Sequence, residues 1–394
     1  MRYLFCGSFC VPEDEDKLLA WSKCGLQFSI INFQRNMLQG LKENMSSEDT
    51  LDIINYYPLG AYGRFSSLLF LSGERDKNYQ RLSLLNIPII KQLFYNIQAW
   101  YYINRWVKTY KDEEKCILMY DLLTPYLKVL SSLPSINLKT ISIVADLPNE
   151  YGYYKSEKGL KARIKEYIGR RSLIQIGNLD RLGLLTRQMS EVLKLRKDQY
   201  VVIEGFSNGL RPFCELSKSD QTIVLYTGVV SKTYQLDTLI EAFGRIHDSS
   251  FELWICGNGN YVEELLVKSK KDRRIKYLGN LPASRIAEIQ SRATILINPR
   301  QNIGAYTKYS FPSKIIEYLS TARPVIGYRL DGIPDEYYDY IRTPNNNSID
   351  ELANTIVAVS QMPYSQLKQL GIEGRKFVIK RCNPREQISK LLSL

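Results

Sequence analysis

The pattern of apolar and polar positions is clearest in the second half of the chain. Thr222–Thr227 (TIVLYT) is a short β-rich run ending at Gly228, and Leu236–Ile246 (LDTLIEAFGRI) repeats apolar residues at helical spacing. Phe251–Cys256 (FELWIC) follows as a strand, then the turn Gly257-Asn258-Gly259-Asn260 and a helix over about Tyr261–Lys270. Ile275–Leu278, Ala293–Asn298 and Pro324–Tyr328 read as further strands, with helices over Pro282–Arg292 and Pro312–Thr321 between them. Strands alternating with helices predict a parallel, doubly wound sheet.

The first half carries the same alternation less cleanly. Strands are predicted at Tyr3–Cys6, Gln27–Ile31, Lys115–Met119, Thr140–Ala145, Leu173–Ile176 and Tyr200–Glu204, with helices around Ile87–Tyr110 and Asp180–Leu195. Gly205–Asp220 lacks any period and contains Gly, Ser and Pro, so it reads as a linker. The 394 residues suit two domains of roughly 200 each. The expected fold class is α/β: two Rossmann-like doubly wound domains, residues 1–210 and 211–375, facing across a cleft. The last stretch, residues 376–394, contains a helix over about Pro384–Leu394 that is expected to pack back on the first domain. Such sheets bind ligands beyond the C-terminal ends of their strands.

Composition narrows the classes. The longest apolar runs, such as Ile141–Leu147 and Ala293–Ile297, fall short of the ~20 residues that span a bilayer. The opening MRYLFCG reads as a first strand and not as a leader peptide. Seven scattered cysteines without a C-x-x-C pair suggest neither a zinc site nor a disulfide framework, and suit a reducing cytoplasm. A net charge of +12 points to nucleic acid, an anionic membrane surface or phosphorylated ligands. No zinc-finger, RRM or KH signature supports the first of these. Abundant tyrosine, 28 copies, suits a membrane interface or a sugar-lined groove, and equally an ordinary core.

Candidate chemistry gathers at strand ends. In YSFPSKIIEYLSTARPVI, Pro312 suits the first turn of a helix and Ser310 or Ser313 its cap. Helix-end amides seat a diphosphate, Lys314 adds a cation, and Glu317 one turn on can accept ribose hydroxyls. An ordinary amphipathic helix with Pro at its start has the same pattern. The neighbouring strand ends tilt the balance: Gly228, then Gly257 and Gly259, then Arg300 after Asn298-Pro299. Neither a full dinucleotide fingerprint nor a Walker loop is present.

The blocks YTGVVSKTYQLDTLIEAF, FELWICGNGN, IKYLGNLP, ATILINPR, YSFPSKIIEYLSTARPVI and LDGIPDEY, in this order and spacing, resemble glycosyltransferase family 4. The likeness is strong over Ile223–Tyr340, especially to bacterial enzymes of capsule, exopolysaccharide and lipopolysaccharide assembly. It extends loosely to IVADLP, LLTRQM and VIEG in the first half. The resemblance implies a GT-B fold and retaining transfer from a UDP- or GDP-sugar to a glycan or lipid-linked glycan acceptor. Donor binding falls to the second domain and acceptor binding to the first, with no cofactor and no metal.

Carried over by position, Glu317 matches the family's ribose-binding second glutamate. Tyr309 stands where a first glutamate is found, and with Phe311 is expected beside the donor sugar. Val229 and Tyr234 occupy the places of the family's Arg and Lys, which leaves Lys232, Arg300, Lys308 and Lys314 as cations for the diphosphate. Gly228, Gly257, Asn280 and Ser313 complete the expected nucleotide side. Ala145-Asp146 replaces the family's His-Asp pair; Asp146 either serves the reaction or merely forms a turn before Pro148. The single histidine, His247, ends a helix, which excludes a Ser-His-Asp triad and a histidine-rich metal site. Asp14-Glu15-Asp16 matches D-x-D but reads as a solvated acidic run.

Two basic stretches bear on the charge. Lys91–Lys111 reads as a core helix with a charged outer face, and Lys155–Arg171 as a peripheral contact with anionic membrane on the cytoplasmic side. The rival readings are a GT-B sugar-nucleotide epimerase and a basic nucleic-acid-binding protein.

Overall fold

Apolar runs along the chain build two separate parallel sheets, one in each of two units. The computed structural model describes residues 1–23, 25–88, 90–122, 125–133, 136–147, 160–207, 209, 215–216 and 221–393. One unit is Met1–Phe206 together with Pro384–Leu394; the other is Ser207–Asn383.

The first unit contains strands β1 (Arg2–Gly7), β2 (Thr50–Asn55), β3 (Phe70–Leu71), β4 (Glu74–Asp76) and β5 (Tyr79–Arg81). It continues with β6 (Leu84–Leu85), β7 (Lys115–Tyr120), β8 (Leu138–Val144), β9 (Arg181–Leu184) and β10 (Tyr200–Val202). Its helices are α1 (Glu15–Trp21), α2 (Phe28–Asn44), α3 (Ile90–Thr109), α4 (Leu127–Leu130), α5 (Leu160–Ile176) and α6 (Met189–Leu193). The sheet order is β10-β9-β8-β7-β1-β2-β5-β4, parallel except for β4 at the edge, while β3 and β6 pair apart from it. Leu4, Phe5 and Cys6 of β1 and Ile117, Leu118 and Met119 of β7 are fully buried, as strands covered on both faces must be.

The second unit contains β11 (Thr222–Thr227), β12 (Phe251–Cys256), β13 (Ile275–Tyr277), β14 (Ile295–Asn298), β15 (Val325–Gly327) and β16 (Ile341–Arg342). Its helices are α7 (Leu236–Gly244), α8 (Val262–Lys271), α9 (Ala283–Arg292), α10 (Ser313–Leu319), α11 (Ile349–Ser360) and α12 (Tyr364–Arg381). All pairs are parallel in the order β13-β12-β11-β14-β15-β16. The chain winds outward from β11 to β13, then returns to β14 and winds the other way. The sheet's switch point therefore lies between β11 and β14, where open α/β sheets hold ligands. In the first unit the corresponding point lies between β1 and β7.

Between residues 222 and 328 every expected strand and helix is present. In the first unit β2 to β6 lie where no strand was expected, and three expected elements differ. Gln27–Ile31, expected as a strand, opens α2, whose buried residues Ile31, Gln34, Met37 and Leu41 recur at helical spacing. Leu173–Ile176 is the end of α5 and not a strand. The helix expected over Asp180–Leu195 divides into β9 and α6. Asp180 leads into β9 because its carboxylate accepts from the Thr140 amide at 2.7 Å and the Thr140 hydroxyl at 2.8 Å, pinning it beside β8.

Two charge expectations also change. The helix α3 does bury Tyr95, Ala99, Ile103 and Trp106, but its outer face carries charge only toward the C-terminus, at Arg105 and Lys108; before that Ile90, Leu93, Ile97, Trp100 and Tyr101 are exposed. The acidic run at residues 14–16 is not merely solvated. Asp14 accepts from the Tyr57 hydroxyl, which holds its carboxyl below the usual range, and Glu15 pairs with Arg35.

The last helix, α13 (Pro384–Leu392), lies along α2 in the first unit, whereas α12 stays in the second. Gly40 of α2 permits this contact: a Cβ there would stand 2.3 Å from the Pro384 carbonyl oxygen. Asn44 donates to the Arg385 carbonyl at 2.9 Å, and Pro384, Gln387, Ile388 and Leu391 are buried. Most of the interval expected as a linker, residues 205–220, lies outside the described residues.

Candidate functional site

The site in the second unit is built on the end of β11. Thr227, its last residue, is buried, and Tyr318 of α10 ties to its backbone. The Tyr318 hydroxyl accepts from the Thr227 amide at 2.8 Å and donates to the Thr227 carbonyl at 3.0 Å. These two hydrogen bonds fix α10 against the switch point. Lys314 and Glu317, three residues apart on α10, then fall together: Nζ lies 2.8 Å from Oε2.

A second donor comes from α9. The Gln290 amide donates to Glu317 Oε1 at 2.8 Å and to Thr227 Oγ1 at 3.2 Å, from a side chain with 0% exposure. Lys314 Nζ is 3.5 Å from the same hydroxyl. Glu317 is half-buried, with a cation on one oxygen and an amide on the other. Its carboxylate plane is therefore set before any ligand arrives, which spares the entropy of ordering it.

The other expected residues divide. Arg300 is 6% exposed on the loop leaving β14, with its amide on the Asn298 side chain at 3.4 Å. Lys232 turns to Glu264 at 2.7 Å and lies over the Tyr261 ring, an exposed pair of little energetic weight. Asn280 is exposed beyond β13; Lys308 is exposed and Tyr309 half-buried at the close of the 3-10 turn Ala305–Tyr309. Phe311, expected beside the sugar, is buried in the core with its ring 5.3 Å from that of Tyr337. Ser313 is the exposed first residue of α10, whose cap is Pro312 with no side-chain bond, so neither Ser310 nor Ser313 caps it. Gly257 has φ 141, and a Cβ there would lie 1.7 Å from the Gly228 carbonyl oxygen. Val230 donates to the Asn258 carbonyl at 2.9 Å, so these two strand-end loops run backbone against backbone. Loop packing by itself demands the glycine.

In the first unit Asp146 is exposed just past β8, yet the surrounding protein raises its pKa by desolvation. It faces a carboxylate that sequence reading missed. Asp121 follows β7 at the switch point, with φ 63, its amide on the Ile143 carbonyl at 2.8 Å. Its carboxylate accepts from the Leu122 amide at 2.7 Å and from the amides of Ala145 and Asp146. Burial pushes Asp121 up to about 7, and the charge of Asp146 adds to the rise. Gln290, Thr227 and Tyr318 were likewise not singled out, because nothing local marks them.

Residues 221–361 match the family described as glycosyl transferases group 1. No curated protein matches the chain. Among solved structures, the chain is similar to sucrose-phosphate synthase from Thermosynechococcus elongatus, with TM-score 0.68, 16% identity, and 100% of this chain and 98% of that one covered. It is also similar to Anabaena Alr3699/HepE in complex with UDP (TM-score 0.62, 14% identity, 100% of both chains). A third is the lipopolysaccharide outer core galactosyltransferase WaaB in its apo form (TM-score 0.61, 14% identity, 100% and 99%). At such identities the structural likeness speaks for the fold, two Rossmann-like domains of the GT-B type. With a group 1 glycosyltransferase domain in its second unit, the protein is a glycosyltransferase.

Proposed function

We propose that the protein is a retaining, family 4 glycosyltransferase that moves a sugar from a UDP- or GDP-sugar to a glycan or lipid-linked glycan in cell-surface polysaccharide assembly. The observation that carries this reading is the Glu317 carboxylate, aligned by Lys314 and Gln290 beside the switch point of the second sheet. A carboxylate so held suits the paired hydroxyls of a ribose. The Alr3699/HepE structures, in complex with UDP and with UDP-glucose, support a nucleotide-sugar donor.

In this reading Lys314, Arg300 and the first amides of α10 stabilise the charge that grows on the diphosphate. The bond from the sugar's anomeric carbon to the phosphate oxygen breaks. The acceptor hydroxyl oxygen bonds to that carbon on the same face, and the departing phosphate takes its proton. Neither a protein nucleophile nor a metal enters these steps, and Asp146 orients the acceptor on the first unit. The enzyme works in the cytoplasm at the inner face of the plasma membrane, with Lys155–Arg171 against anionic lipid. Residues 155–159 lie outside the described residues; within α5, Tyr167, Ile168 and Ile174 are exposed beside Arg170 and Arg171.

Titration with UDP and with GDP, followed by calorimetry and thermal shift, tests the reading. Glu317→Ala is expected to weaken the bound nucleotide about tenfold or more, the worth of hydrogen bonds to a charged acceptor, with the circular dichroism unchanged. Undiminished affinity for both nucleotides would remove the reading's centre.

A further inference from the structure

The apolar outer face of α3 is the feature the donor chemistry leaves unused. Ile90 is 45% exposed, Leu93 56%, Ile97 66%, Trp100 59% and Tyr101 49%, opposite the buried Tyr95, Ala99, Ile103 and Trp106. At 3.6 residues per turn these five side chains form one stripe, and Arg105 and Lys108 extend it toward the helix C-terminus. Beside it, β6 packs on α3 and pairs with β3, whose Phe70 is 57% exposed. A surface helix of a soluble protein normally turns its charges outward. Here three turns turn outward no charge at all, because Lys91 bends in to the Leu59 carbonyl.

We propose that this face of α3, with Phe70, seats the protein on an anionic lipid bilayer, its apolar stripe at the headgroup–acyl boundary and Arg105 and Lys108 on lipid phosphate. Trp and Tyr favour that boundary, and the cations at the end of the stripe match its charge. The helix sequence contains Lys91, Arg105 and Lys108 and no Asp or Glu. A second copy of the chain is the poorer occupant, since a two-fold contact would set one cation-only helix against another. Among the described residues no helix is long and apolar enough to cross a membrane, so the contact is one of lying on the surface. The inference rests on the membrane part of the reading above, gives it a second surface, and is independent of sugar transfer.

The test is co-sedimentation of the full chain with vesicles of phosphatidylcholine mixed with phosphatidylglycerol, without donor or acceptor. The chain is expected to bind them, and the pair Ile97→Ser and Trp100→Ser to lower the partition about tenfold or more. Both side chains are exposed, so an unchanged circular dichroism spectrum is expected beside the loss. The pair Arg105→Ser and Lys108→Ser is expected to weaken binding about tenfold, and only on the charged vesicles. The proposal is overturned if the Ile97/Trp100 variant binds as the parent does, or if Arg170→Ser with Arg171→Ser on α5 alone abolishes binding. It is also overturned if the Ile97/Trp100 variant turns a dimer into a monomer in sedimentation equilibrium, which gives the face to a second copy. Vesicle binding by a chain with no affinity for UDP or GDP sustains this inference and sinks the donor reading instead.

Discussion

Gln290 holds the carboxylate of Glu317, the proposed ribose contact, from the neighbouring helix. Its amide bridges Glu317 and Thr227 from a fully buried position, so its loss removes one of the hydrogen bonds that set the Glu317 carboxylate beside Lys314. Gln290→Met keeps the volume and removes the donor. Nucleotide affinity measured by calorimetry is expected to fall by about 1–2 kcal/mol, with little loss of fold. An affinity equal to the parent's would mean that Glu317 needs no such alignment.

Asp121 makes a different prediction, in pH. An aspartate in an unfolded chain titrates near ~4, whereas burial lifts this one to about 7. Between those values the folded state holds a proton that the unfolded state has released, so stability falls as pH rises across the window. Asp121→Asn, which tolerates the same left-handed backbone, lacks that proton. Its melting temperature relative to the parent is expected to climb from pH 4.5 to pH 8; a flat difference would show that Asp121 ionises without cost. Lys314 and Glu317 were legible in the sequence because they lie one helical turn apart. Gln290 was not, being 27 residues from Glu317, and Asp121 depends on a backbone conformation that no residue pattern announces.

At the scale of elements, α2 shows how a longer helical period decides what a five-residue window leaves ambiguous. The apolar start of α2 reads as a strand when taken alone. The buried positions Ile31, Gln34, Met37 and Leu41, at helical spacing, place it in the helix, which meets α13 at its far end through Gly40 and Asn44. A Cβ at Gly40 would run into the Pro384 carbonyl oxygen, so Gly40→Val is expected to cost about 1–3 kcal/mol in urea unfolding. At Gly244, which ends α7, a Cβ would meet nothing within 4 Å, and Gly244→Ala is expected to be neutral or to add up to ~1 kcal/mol. Equal effects at the two sites would mean that the α2–α13 contact is loose. The second unit was easier to read because its strands are short, apolar and closed by Gly or Pro: β11 by Gly228, β12 by Gly257, β14 by Pro299.

At the scale of the molecule, length and the aperiodic stretch around residue 205 suffice to expect two units. The return into the first one was expected with the closing helix, over about Pro384–Leu394. Only Cys382 and Asn383 separate α12 from α13, and Pro384 is the sole local sign of a change of direction. The unit Ser207–Asn383 is continuous in sequence, and the other unit is not. This discontinuity sets an order of events during synthesis. At about 5–20 residues per second, the ribosome spends on the order of ten to thirty seconds on the second unit after the strands of the first have emerged. Through that interval the side of α2 that receives α13 is bare, with Gly40 and its apolar neighbours open to any chaperone or stray chain nearby. The first domain to be translated is thus the last to be sealed.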